Sequence, residues 1–106
     1  MIPRTMTYAM FAAFLAAAPL PALAADAAVV MKNFDFAPMA ITVSPGTTVT
    51  WTNQDGEPHT VVSADGLFRS AALDQNDSFK FTFSKPGVYK YVCSIHPKMM
   101  ATVTVK

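Results

Sequence analysis

Residues 87–106 read Gly87-Val88-Tyr89-Lys90-Tyr91-Val92-Cys93-Ser94-Ile95-His96-Pro97-Lys98-Met99-Met100-Ala101-Thr102-Val103-Thr104-Val105-Lys106. Two runs of period two, Gly87 to Cys93 and Ala101 to Lys106, flank a short loop that has neither helical nor strand periodicity. Alternation of this kind puts one side of a strand in a core and the other in water. A pair of such runs joined by a short loop predicts neighbouring strands, and no 3.6-residue repeat competes with that reading.

The same alternation recurs upstream. Ile41 and Val43 flank Thr42; Val49 and Trp51 alternate with Thr48, Thr50 and Thr52; Phe79, Phe81 and Phe83 alternate with Lys80 and Thr82. Further strands are expected over Ala28 to Phe34 and His59 to Ser63. Turn chemistry separates them at Ser44-Pro45-Gly46, Asp55-Gly56, Asp65-Gly66 and Lys85-Pro86-Gly87, where proline presets φ and glycine accepts positive φ. About seven short strands with such punctuation predict an all-β protein, an antiparallel Greek-key β-sandwich or barrel. Sandwiches host unrelated activities, so function must be sought in particular residues.

The chain has 106 residues, which bounds it to one hydrophobic core. Its start differs from the rest. Arg4 precedes an apolar run from Tyr8 to Leu20, and small residues follow at Ala22-Leu23-Ala24. This order predicts a secretory signal peptide over residues 1–24 with cleavage after Ala24, leaving residues 25–106 as the mature domain. The run is shorter than the roughly 20 residues of a bilayer span, which argues against a membrane anchor. Lys and Arg number 8 against 7 Asp and Glu, so loss of Arg4 with the leader makes the mature domain formally neutral. Neither a nucleic-acid groove nor a polybasic membrane patch is expected.

A single cysteine cannot form an internal disulfide, and a free thiol in an oxidising compartment invites oxidation. A buried inert thiol is one reading, since free cysteine is often buried. Its neighbours favour another. The protein has two histidines and one cysteine, and all three fall where strands run into loops. Cys93, His96 and Met99 lie within seven residues in the pattern Cys-x-x-His-x-x-Met, and His59 opens an earlier strand whose end a Greek key can bring alongside. Two imidazoles and a thiolate alone would suit zinc, but an added thioether is soft and favours copper. A trigonal His₂Cys set with a long axial methionine is the blue-copper electron-transfer arrangement.

Met99 and Met100 compete for the axial place. Extended backwards, the alternation of the last strand puts Met99 on the inward face with Ala101, Val103 and Val105, and Met100 outside. Core filling is the plainer role for either. Pro58 and Pro97 stiffen the two ligand loops by fixing φ.

These residues resemble those of the cupredoxins, and within them the amicyanin-like small copper proteins. The resemblance runs from about Val30 to Lys106. It rests on Val49-Thr50-Trp51-Thr52-Asn53, Pro58-His59, Gly87-Val88-Tyr89-Lys90-Tyr91 and Cys93-Ser94-Ile95-His96-Pro97-Lys98-Met99. It implies one type 1 copper ion held by His59, Cys93, His96 and Met99, with Asn53 linking the two ligand loops by hydrogen bonds near Ser94. Two departures stand out. The N-terminal part is shorter than in amicyanin, and Ile95 and Lys98 alter the ligand loop.

The expected function is that of a periplasmic blue-copper carrier, shuttling single electrons between larger redox proteins through transient encounters of a monomer. His96 is the expected electron port, ringed by Pro58, Pro97 and Met100, joined by Phe36 and Met39. An alternative is a copper chaperone or store that delivers Cu(I). An enzyme is not expected, because a further catalytic metal would need histidines beyond the two already assigned.

Overall fold

The computed structural model describes residues 25–106; the expected leader, residues 1–24, lies outside them. Eight strands follow one another: β1 (Asp26–Lys32), β2 (Asp35–Ala37), β3 (Ala40–Val43), β4 (Thr47–Asn53), β5 (Val62–Ser63), β6 (Ser78–Phe83), β7 (Gly87–Val92) and β8 (Met100–Val105). They build two four-stranded sheets, ordered β2-β1-β4-β6 and β3-β8-β7-β5. From β2 to β7 the chain changes sheet at every connection, as a Greek-key sandwich requires.

The sandwich agrees with the sequence expectation, but its sheets are mixed rather than purely antiparallel. β1 pairs with β4 in parallel, and so does β3 with β8. The cause is a count of reversals. The chain turns back once between β1 and β2, runs on into β3 in the other sheet, and turns back again at Ser44-Pro45-Gly46. It therefore re-enters beside β1 in the original direction. That second turn has Gly46 at φ 93°, and the Thr47 N–H donates to the Ser44 carbonyl at 3.2 Å, the geometry that Pro-Gly at its centre favours.

Period two has the anticipated effect on burial. β4 alternates strictly, with Thr47, Val49, Trp51 and Asn53 buried. β8 does likewise with Ala101, Val103 and Val105. Trp51 lies between the sheets, with its ring centroid 5.4 Å from Tyr91, 5.7 Å from Phe68 and 6.4 Å from Phe83. Full burial of a Val or Phe side chain contributes about 1.5–3 kcal/mol each, and this aromatic layer forms the centre of the core.

The stretch expected as one strand over Ala28 to Phe34 is a hairpin instead. Met31 pairs with Phe36 and Lys32 with Asp35, leaving Asn33 and Phe34 as a two-residue turn at φ 55° and 59°. Positive φ at both positions is the type I′ requirement. Asn tolerates it, whereas for a bulky side chain such as Phe it costs about 1–2 kcal/mol. The turn reverses the chain, so Phe36 is 1% exposed and packs edge-on to Tyr91 at 4.7 Å, while Phe34 is 44% exposed. Phe36 therefore belongs to the core and not to an apolar surface ring around His96; Phe34 takes that place.

Candidate metal centre

His59 precedes the short strand β5 and is held by a single bridge rather than by a ladder. Its N–H donates to the Leu73 carbonyl at 3.1 Å, and the Leu73 N–H returns a bond of 2.7 Å. Cys93 follows β7. Its N–H donates to the Met99 carbonyl at 3.1 Å, and the Met99 N–H donates to the His96 carbonyl at 2.9 Å, so the Cys-x-x-His-x-x-Met loop closes on itself. The adjacency of β7 and β5 brings these two segments together.

His59 Nδ1 lies 3.2 Å from His96 Nδ1, and Cys93 Sγ is 3.8 Å from each. His59 and Cys93 are buried and His96 is half-buried. A first-row ion bound at about 2.0–2.1 Å to nitrogen and about 2.3 Å to sulfur spans such a triangle, so the three residues fit a trigonal His₂Cys centre without rearrangement. Met99 is 2% exposed and Met100 57%, the order that strand parity predicts. Met99 also lines, with Phe34, Ile95, His96, Pro97 and Lys98, the shallow cleft beside the triangle.

Electrostatics prepare the thiol for a metal. Burial pushes the Cys93 thiol up, but the Thr60 backbone N–H, the His96 side chain and the backbone N–H groups of His96 and Ile95 oppose it and bring it down to about 6. The Thr60 N–H approaches Sγ at 3.3 Å. Such donors stabilise the thiolate, which is the form that binds metal.

Asn53 does not tie the ligand loops together near Ser94. Its amide nitrogen donates to the carbonyls of Glu57 at 2.8 Å and Leu73 at 2.9 Å, and its side-chain oxygen accepts the Asp55 N–H at 2.8 Å. It organises the loop that leads to His59 from within, because its side chain turns inward at the end of β4. Thr60 makes the cross-loop tie. Its hydroxyl oxygen accepts the Ser94 N–H at 2.7 Å and lies 2.8 Å from the Ser94 hydroxyl. Position 60 follows a candidate ligand and is polar, a signal that the sequence offers but does not distinguish from an ordinary strand threonine.

Two further residues escaped sequence reasoning. Asp55 accepts the His59 Nε2–H at 2.9 Å. An ionised carboxylate can only accept, so this bond places the proton on Nε2 and leaves the Nδ1 lone pair facing the triangle. Burial would raise the Asp55 carboxyl, but hydrogen bonds from the Phe34 N–H, His59 and the Asn33 N–H hold it below the usual carboxylate range. Phe34 stands edge-on to both imidazole rings, with centroids 5.2 Å from His59 and 4.8 Å from His96.

Residues 5–105 match the family model described as the cupredoxin-like domain. The chain is 32% identical over 112 residues to amicyanin-alpha of Methylorubrum extorquens, covering 92% of this chain and 94% of that protein. Among solved structures, a purple cupredoxin from Nitrosopumilus maritimus is 37% identical with a TM-score of 0.70, covering 76% of this chain and 100% of that one. The Cu(I) form of a methionine-to-alanine mutant of amicyanin is 26% identical with a TM-score of 0.74, covering 80% of this chain and 86% of that one.

Proposed function

The chain belongs to the cupredoxin-like family, and from that premise we propose that it is an exported carrier that moves single electrons between larger redox proteins. Its cofactor is copper, and His59, Cys93, His96 and Met99 are the residues that hold it. When bound, the copper supplies a one-electron couple, Cu(II)/Cu(I). The observation that carries the reading is the triangle of two imidazole nitrogens and one sulfur, 3.2 to 3.8 Å on a side, with an ion-sized centre.

The chain's own residues account for the rest. Cys93, held as a thiolate, provides the negative charge, and His59 and His96 provide neutral nitrogen donors. The paired segments β5 and β7, the closed 93–99 loop and the Thr60–Ser94 tie fix these donors. Little movement then accompanies a change of charge, which keeps transfer fast. His96 is the ligand nearest solvent, so it is the port through which an electron leaves. Pro58, Pro97, Ile95 and Met100 are exposed around this end of the molecule, and an apolar rim suits brief docking over a small interface. The buried placement of His59, Cys93 and Met99 favours retention of the metal over its delivery to another protein. Export to the periplasm rests on the pattern of residues 1–24, removed after Ala24.

The processed protein should bind one copper per chain and be intensely blue from thiolate-to-copper charge transfer. Cys93→Ser should abolish the colour. A colourless Cu(II) protein, or a serine variant that keeps the band, would rule the site out. Rapid loss of Cu(I) to an acceptor, in place of reversible redox cycling, would overturn the carrier role.

A further inference from the structure

The turn between β1 and β2 is wired to the buried histidine. Asp55 Oδ1 accepts the Asn33 N–H at 2.8 Å, while Oδ2 accepts the Phe34 N–H at 2.9 Å and the His59 Nε2–H at 2.9 Å. One carboxylate thus takes three donors from two segments of the chain. Both turn residues have positive φ, a conformation that phenylalanine seldom adopts and that persists only where its surroundings over-determine it. The turn carries the Phe34 ring edge-on to the imidazoles of both His59 and His96, with Phe34 itself 44% exposed.

We propose that Asp55 is a positioning residue for electron transfer, its carboxylate orienting and polarising His59 while it pins the turn that holds Phe34 against His96. The proposal rests on the copper reading of the site. A carboxylate on the distal N–H of a ligating imidazole makes that ring a stronger donor, which favours Cu(II) over Cu(I). Phe34 excludes water from the edge of His96 and narrows the route by which electrons leave.

The test is Asp55→Asn in the full copper-loaded protein. The amide keeps the shape but loses the charge, and its single oxygen cannot accept all three donors. The ratio of Cu(II) to Cu(I) affinity should fall about tenfold, read as a midpoint potential higher by about 59 mV for one electron. Hydrogen exchange at the Asn33 and Phe34 amides should accelerate at least tenfold, with or without copper. Both changes together support the proposal. An unchanged potential, or unchanged protection of these amides, overturns it. Phe34→Ala, which leaves the bond from Asp55 to His59 intact, should move the potential by less than a third as much; an equal shift would assign the effect to the turn alone. If the Asn variant does not fold, the wild-type protein holding Cu(I) decides the matter. Its His59 Nε2 proton should exchange slowly and lie close to the Phe34 amide proton, and a fast-exchanging proton overturns the proposal. Absence of the charge-transfer band in the wild type would instead indict the copper reading, while the amide exchange of the copper-free protein would still report on Asp55.

Discussion

Cys93, the proposed sulfur ligand, is also a switch of stability. Its thiol is brought from about 9 down to about 6 in the folded chain, against the upward push of burial, by donors from Thr60, His96 and Ile95. Between those values the unfolded chain holds a proton that the folded chain does not, so stability rises with pH. The contribution is full above about pH 9 and gone below about pH 6. In the copper-free protein, the difference in urea stability between wild type and Cys93→Ala should grow from pH 6 to pH 9. A difference that is flat across that window would remove the thiolate from the account. The lowered pKa would by itself make the thiol more reactive; what shields it is its complete burial.

At the scale of elements, the last strand and the loop before it divide two adjacent methionines between different tasks. β8 alternates inward at Ala101, Val103 and Val105, and the parity carries back through the loop to Met99. Met99→Ala in the copper-free protein should cost about 2–5 kcal/mol, as a buried large-to-small change does, and should also weaken copper retention. Met100→Ser should stay within about 0.5 kcal/mol and leave the metal in place, because it alters a surface position. Unfolding midpoints and copper content measured together check this, and the opposite ranking would mean that Met100 is the inner residue.

The whole molecule depends on the aromatic layer that joins its two sheets. Trp51 on β4 faces Tyr91 on β7, with Phe68 and Phe83 beside it, and Cys93 lies two residues beyond Tyr91. The layer fixes the spacing of the sheets and buttresses β7, whose pairing with β5 in the same sheet sets His59 beside Cys93. Trp51→Ala should destabilise the protein by about 3–5 kcal/mol, seen as a lower denaturant midpoint with little change in slope. A loss below 1 kcal/mol would show that the sheets are held apart by other means.

Strand-length alternation, turn residues and the Cys-x-x-His-x-x-Met spacing were legible along the chain because each is a local constraint: period two follows from the pleat, and three candidate ligands in one loop are near each other whatever the fold. Parity put Met99 on the inward face and Met100 on the outward one, and their burial agrees. What lay beyond the sequence were the relations between segments remote in the chain. The parallel pairings of β1 with β4 and of β3 with β8 depend on how many times the chain reverses between sheets, which no single segment encodes. The turn at Asn33-Phe34 lacks a glycine and hides inside an apolar run; it is held in place by Asp55, 21 and 22 residues away. The exchange of roles between Phe34 and Phe36, and between Asn53 and Thr60, has the same origin. Which way a side chain turns and what it meets is set by packing against the opposite sheet, and that exists only once the sandwich has closed.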